Sequence, residues 1–96
     1  MKIDFTKNGE NLHISLEGRL DTLTSPEFEN FINGNSAGVV AMEINCEKLS
    51  YVSSAGLRVL LSTHKKMMGA LTLTNVCDLV REVFEITGFV DVLTLK

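Results

Sequence analysis

Ser53 and Ser54 stand just ahead of Gly56 in the run Leu49-Ser50-Tyr51-Val52-Ser53-Ser54-Ala55-Gly56-Leu57-Arg58-Val59-Leu60-Leu61. An apolar stretch, Val39 to Ile44, lies upstream, and leucines at helical spacing follow, so the run reads as strand, short loop and helix. The start of a helix carries unpaired N–H groups and a partial positive charge, which together stabilise an anion. Hydroxyls placed there serve as N-caps, or they mark a point where a phosphate is attached, bound or transferred. From the residues alone both readings stand.

Other chemistries are poorly supplied. A nucleophile elbow requires glycine two residues before and two after the serine; Gly56 follows Ser54 at that distance, but Val52 precedes it. His13 and His64 have no evident carboxylate partner, and His64 falls on an apolar helical stripe, where it reads as a packed residue showing one polar edge. No Gly-x-x-x-x-Gly-Lys-Ser/Thr run is present to cradle a nucleotide. Cys46, Cys77 and the histidines are too scattered for a metal site. The expectation is a module without catalysis, cofactor or metal. Both cysteines read as reduced, buried thiols.

The 96 residues suit one domain over 1–96, and the 45% apolar content is enough for a core. A net charge of -3 without a clustered basic face argues against nucleic acid as a partner. No apolar run approaches the ~20 residues that cross a bilayer, and the N-terminus lacks a signal-peptide layout. A cytoplasmic protein is expected.

The elements that position the serines follow from periodicity. Met1 to Thr6 alternates as a half-buried strand, Lys7-Asn8-Gly9-Glu10 turns, and Leu12, Ile14 and Leu16 face inward on a second strand that Gly18 ends. Ser25 caps a short helix from Pro26 to Asn33. Val39 to Ile44 reads as a central strand buried on both faces. The second helix runs from Ala55 to Met68, with Leu57, Leu60, Leu61, His64 and Met68 inward and Arg58, Val59, Ser62 and Lys66 outward; Gly69 closes it. Ala70 to Thr74 forms a strand, and Asn75 caps a third helix that buries Leu79, Val80, Val83 and Ile86 and pairs Arg81 with Glu85. Gly88 stops that helix, and Val90 to Leu95 is an edge-like strand. The order β-β-α-β-α-β-α-β predicts an α/β layer structure with a mixed sheet.

The segment Glu17-Gly18-Arg19-Leu20-Asp21-Thr22-Leu23-Thr24-Ser25-Pro26, together with the run from Leu49 to Leu61, resembles the STAS domain. In particular it is similar to the small anti-sigma-factor antagonists of bacteria. The resemblance extends along the chain to Ile86-Thr87-Gly88-Phe89. It implies a small STAS-like α/β domain with a mixed four- to five-stranded sheet and three to four helices mainly on one face. It also implies a monomer that binds an anti-sigma factor acting as a serine kinase, with a phosphatase reversing the modification. By the family's spacing, two residues before the glycine, the phosphoacceptor is Ser54. Members of the best-known branch carry aspartate where this chain has Ser53, so Ser53 is the second candidate. Asp21 matches the family's acidic residue near the phosphorylation loop, whereas Asn45 stands where aspartate is frequent. The expected partner surface comprises Asp21, Thr22, Ser53, Ser54, Ala55, Gly56, Arg58, Val59, Ser62 and Lys66. Two alternatives are a STAS scaffold without a switch, in which the serines only cap, and a small-ligand or nucleotide-binding module using the same helix start.

Overall fold

In the computed structural model, which describes residues 1–96, strands β1 (Lys2–Asn8) and β2 (Asn11–Leu20) form an antiparallel hairpin. Its turn is Gly9-Glu10, one residue later than Asn8-Gly9, with Gly9 at φ +66°. A positive φ at the first central position is what a two-residue hairpin turn of type II′ asks of glycine. Beyond the hairpin come α1 (Ser25–Asn35), β3 (Ala41–Val52), α2 (Ser54–Lys66), β4 (Leu71–Thr74), α3 (Asp78–Thr87), a 3-10 turn (Phe89–Asp91) and β5 (Thr94–Leu95). The strands lie side by side in chain order, and β2 to β5 are mutually parallel.

That order decides where the helices go. A strand–helix–strand crossover between parallel neighbours is right-handed almost without exception, because a right-twisted strand feeding a right-handed helix packs back only that way. Every crossover here steps in the same direction along the sheet, so α1, α2 and α3 share one face. Burial along β2 follows: Leu12, Ile14 and Leu16 are buried under the helices, while His13, Ser15 and Glu17 face solvent. The core gathers these residues with Leu20, Phe28, Ile32, Met42, Ile44, Leu60, Leu73, Val80 and Phe84. The sequence-derived architecture of a mixed sheet with helices on one face is the one observed.

Several local expectations are corrected. β2 continues through Gly18, which takes φ +108° at a register shift against β3. β3 runs on to Val52 instead of stopping at Ile44, and two bulges each give it one residue more than β2. It is buried on one face only, through Met42, Ile44, Cys46, Leu49 and Val52, because no helix covers the other. Thr24, not Ser25, is the N-cap of α1, which reaches Asn35. Asn75 does not cap α3; it sits at φ +55° in the preceding loop and donates from Nδ2 to Asn45 Oδ1 at 3.2 Å. Cys77 takes the cap position. The inward residues of α3 are Val80 and Phe84, whereas Leu79 and Ile86 are exposed and Arg81 forms no ion pair with Glu85.

The face that α2 buries is also rotated from the expected one. Gly56, Leu57, Val59, Leu60, Thr63 and Met67 are buried, while Leu61 and His64 are half-buried and Met68 is exposed. Val59 therefore faces inward: α1 packs along that side of α2, and Val59 lines the cleft between them with Ser25 and Pro26. Thr63 is accommodated in this layer because its Oγ1 donates to the Val59 carbonyl at 2.8 Å. Both cysteines are free, Cys46 buried and Cys77 half-buried. Burial pushes the Cys46 thiol up to about 12, and nearby Cys77 adds to the effect.

Gly56 lies where no side chain fits. A Cβ there would stand 2.6 Å from the Leu20 carbonyl oxygen, 2.9 Å from Leu20 Cγ and 3.1 Å from Val52 Cγ1. Because the nearest obstacle is backbone, Gly56→Ala is expected to lower unfolding free energy by about 1–3 kcal/mol, the range for overpacking. Gly34→Ala is the internal control: it lies inside α1 with nothing within 4 Å of its Cβ position. It should stabilise the chain by about 0.5–1 kcal/mol through helix propensity. Urea denaturation of the two variants reads both signs, and equal effects would refute the steric account.

Candidate functional site

The carboxyl ends of β2 and β3 bring the two segments singled out in the sequence together. Leu20 and Val52 are cross-strand neighbours. One residue further on, the Ser53 N–H donates to the Leu20 carbonyl at 2.9 Å. The loop that begins at Asp21 and the first turn of α2 thus leave the sheet side by side.

The loop from Asp21 to Thr24 is closed by its own polar groups. Asp21 Oδ1 accepts from the N–H groups of Leu23 at 3.0 Å and Thr24 at 3.1 Å. Thr24 Oγ1 accepts from the Asp21 N–H at 2.9 Å and donates to the Arg19 carbonyl at 2.7 Å. Arg19 Nε lies 3.6 Å from Asp21 Oδ2, and its guanidinium stacks 4.3 Å over the Tyr51 ring. The bond from the Thr24 N–H is foremost in holding the Asp21 carboxyl below its usual range; burial opposes this, and the Leu23 N–H, the Thr24 hydroxyl and Arg19 assist. Leu23, at the tip of the loop, is 88% exposed.

At the start of α2 the two serines differ. Ser53 is the N-cap, with extended backbone, and its Oγ accepts from the Gly56 N–H at 3.3 Å. Ser54 is the first helical residue and is exposed. Ala55 is half-buried and Gly56 buried, while Thr22, Arg58, Ser62 and Lys66 are exposed. Along α2 the residues Ser54, Arg58, Ser62 and Lys66 recur every fourth position on the outer side; Lys66 Nζ also donates to Asn33 Oδ1 on α1 at 3.3 Å. Two members of the expected partner surface leave it: Val59 is 7% exposed, and Gly56 is buried against Leu20 and Val52. Arg19, Tyr51 and Leu23 join the same end of the molecule without having been selected in the sequence. For Arg19 and Tyr51 the signal was the length of β3, since a strand reaching Val52 sets them together on the face opposite Val52 and Leu20. No group of His, Cys, Asp and Glu is arranged to hold a metal ion, and no helix is long and apolar enough to cross a membrane.

Comparison with known proteins follows the same segments. The family model for the STAS domain matches residues 2–96. The anti-sigma-B factor antagonist of Bacillus subtilis (strain 168) is 24% identical over 99 residues, covering 100% of this chain and 91% of the relative. The anti-sigma-B factor antagonist of Staphylococcus aureus (strain NCTC 8325) is 29% identical over 97 residues, covering 97% of this chain and 90% of the relative. Among solved structures, the anti-sigma factor antagonist SpoIIAA in its unphosphorylated form superposes with a TM-score of 0.83 at 22% identity, covering 99% of this chain and 88% of that one. The Bacillus cell fate determinant SpoIIAA in the phosphorylated form gives 0.74 at 21% identity, over 99% and 91%.

The Asp21 loop carries a pH signature. Its folded carboxyl releases its proton more readily than the unfolded one, so its charge contributes stability above the usual value of 3.8, and this is lost as pH falls through the lowered folded value. Asp21→Asn should therefore reduce the urea midpoint at pH 7. The gap from the wild type should close as pH falls below about 4. A gap of constant size across that range would mean that the charge is not what ties the loop.

Proposed function

The chain belongs to the STAS domain family, and from that premise we propose that it is an anti-sigma-factor antagonist switched by phosphorylation of Ser54. In this reading it binds an anti-sigma factor that is also a serine kinase; the kinase releases the antagonist by phosphorylating it, and a phosphatase restores it. The observation that carries the choice of serine is the division of labour at the start of α2. The Ser53 hydroxyl is committed to the Gly56 N–H, whereas Ser54 stands exposed in the first turn. The similarity to anti-sigma-B factor antagonists supports the antagonist role, and the phosphorylated form of SpoIIAA supports the switch.

The switch is electrostatic in this scheme. A phosphoserine adds about -1.5 to -2 charges at neutral pH. The chain itself tolerates that charge, because it sits on the positive end of α2. A partner surface fitted to a neutral hydroxyl does not: closing over Ser54 would strip water from a dianion next to the Asp21 carboxylate. Asp21, Thr22, Ser53, Ala55, Arg58, Ser62 and Lys66 form the remainder of the contact surface in this proposal, while the buried Gly56 only holds the loop in place. Leu23 supplies the apolar anchor that Val59, being buried, does not.

Mass spectrometry after incubation with the cognate kinase and ATP tests the assignment. Phosphate is expected on Ser54, and phosphate confined to Ser53 would overturn it. Ser54→Asp should weaken partner binding, Ser54→Ala should preserve binding while abolishing release, and Leu23→Ala should reduce affinity by about 1–2 kcal/mol, as for an interface anchor. The folding stability of Leu23→Ala should stay within about 0.5 kcal/mol of the wild type, as for a surface substitution.

A further inference from the structure

The first turns of α1 and α2 face a common cleft of about 280 Å³, lined by Thr22, Ser25, Pro26, Glu29, Ala55, Arg58 and Val59. Ser25 is 3% exposed, and its Oγ makes no hydrogen bond. Buried hydroxyls are almost always bonded, so this one, in the wall of a cleft, lacks a partner that the protein does not provide. Arg58 lies on the same cleft and enters no ion pair. α2 opens here, and its first N–H groups have no partner within the helix; at the start of α1 the Thr24 and Ser25 N–H groups are already bonded to Asp21 and Pro26 has none. We propose that this cleft is a seat for a phosphate-type oxyanion, held by the Ser25 hydroxyl, the Arg58 guanidinium and the start of α2.

The charges at the rim bear on the same conclusion. Glu29 is the single carboxylate among the lining residues and opposes an anion. Glu27, in the first turn of α1, opposes it as well, whereas Asp21 is turned into its own loop by the N–H groups of Leu23 and Thr24. Against these glutamates stand a guanidinium, which matches a tetrahedral oxyanion through paired N–H donors, and the N-terminus of α2. A phosphate monoester can reach the seat from two sources. One is another molecule. The other is this chain, because Ser54 and Arg58 are spaced i, i+4 on α2 and so are surface neighbours.

Inorganic phosphate is the probe, titrated at constant ionic strength into the unphosphorylated full chain and followed by ¹H–¹⁵N NMR. Saturable shifts are expected at Ser25, Ala55 and Arg58. Arg58→Ala should weaken binding about tenfold or more, as expected on losing a charge-assisted hydrogen bond. Glu29→Gln should strengthen it. Ser25→Ala should weaken it without lowering Tm, because the hydroxyl has no intramolecular bond to lose; a purely structural serine would behave the opposite way. Shifts that stay linear in phosphate and equal among the variants overturn the seat.

A second sample, with phosphoserine installed at position 54, identifies the source. If the chain's own phosphate occupies the seat, inorganic phosphate no longer binds, and the ³¹P-detected second pKa of the phosphoserine lies below that of the free amino acid and rises again in Arg58→Ala. If inorganic phosphate binds this sample as it binds the unmodified chain, the seat serves another molecule. The first titration is made on unmodified protein, so a failure of the Ser54 switch and a failure of the seat are read separately.

Discussion

The carbonyl of Leu20 is the contact on which the functional end of the molecule depends. It accepts the Ser53 N–H at 2.9 Å, and Gly56 closes over it so tightly that a Cβ would lie at 2.6 Å. Asp21 follows Leu20 directly, so its carboxylate loop and the first turn of α2 are held together by main-chain atoms. Side chains along this edge can differ without moving the two loops apart. A residue larger than glycine at position 56 cannot be accommodated in that way, since the nearest obstacle is a backbone oxygen that is already bonded. The close approach also explains why the serine used as a cap and the serine left exposed are distinct: the extended backbone of Ser53 delivers its hydroxyl to Gly56, and Ser54 then points outward on the first turn.

The handedness of the crossovers shapes what remains available for binding. With α1, α2 and α3 on one side, the other face of the sheet carries the pairs Lys2–Asp4, His13–Glu43 and Lys48–Glu17, all well exposed. Pairs of that kind contribute little to stability; they make the face a solvated polar surface. The helical layer is closed where α1 lies along α2, which is why Val59 is inside. The ends of the parallel strands are thus the place where free hydroxyls, an acidic loop and an exposed leucine meet.

Much of this could be read from the residues. Strict alternation in Leu12, Ile14 and Leu16 located the hairpin and its buried face, because one side of an antiparallel strand packs and the other is wet. The alternation of strands and helices gave the layer order. The rotation of α2 was not legible, since a helix inside a layer is buried at its base and along a flank, and the leucine stripe marks only part of that arc. The extent of β3 was hidden for a different reason. Its bulges space the inward residues Cys46, Leu49 and Val52 three apart, a period that belongs to neither a regular strand nor a helix. At the site, the spacing of Ser54 to Gly56 was visible, and its resemblance to a known family drew Asp21 to it. The unpartnered hydroxyl of Ser25 was not visible, because a serine before proline has the local signature of a cap; Thr24 takes that role once Asp21 folds its loop back.

The bond between Leu20 and Ser53 joins the last residue of β2 to the N-cap of α2, with α1 and β3 between them in the chain. The mouth at Ser54 is therefore a product of tertiary assembly and has no counterpart in the local sequence. A short peptide spanning Leu49 to Leu61 holds both serines and the glycine but has no β2 carbonyl to seat them, and helices of that length are marginal in water on their own. An enzyme that reads the geometry of this mouth reads at the same time whether β2 has found β3. Any modification that depended on that geometry would be confined to chains that have completed their sheet.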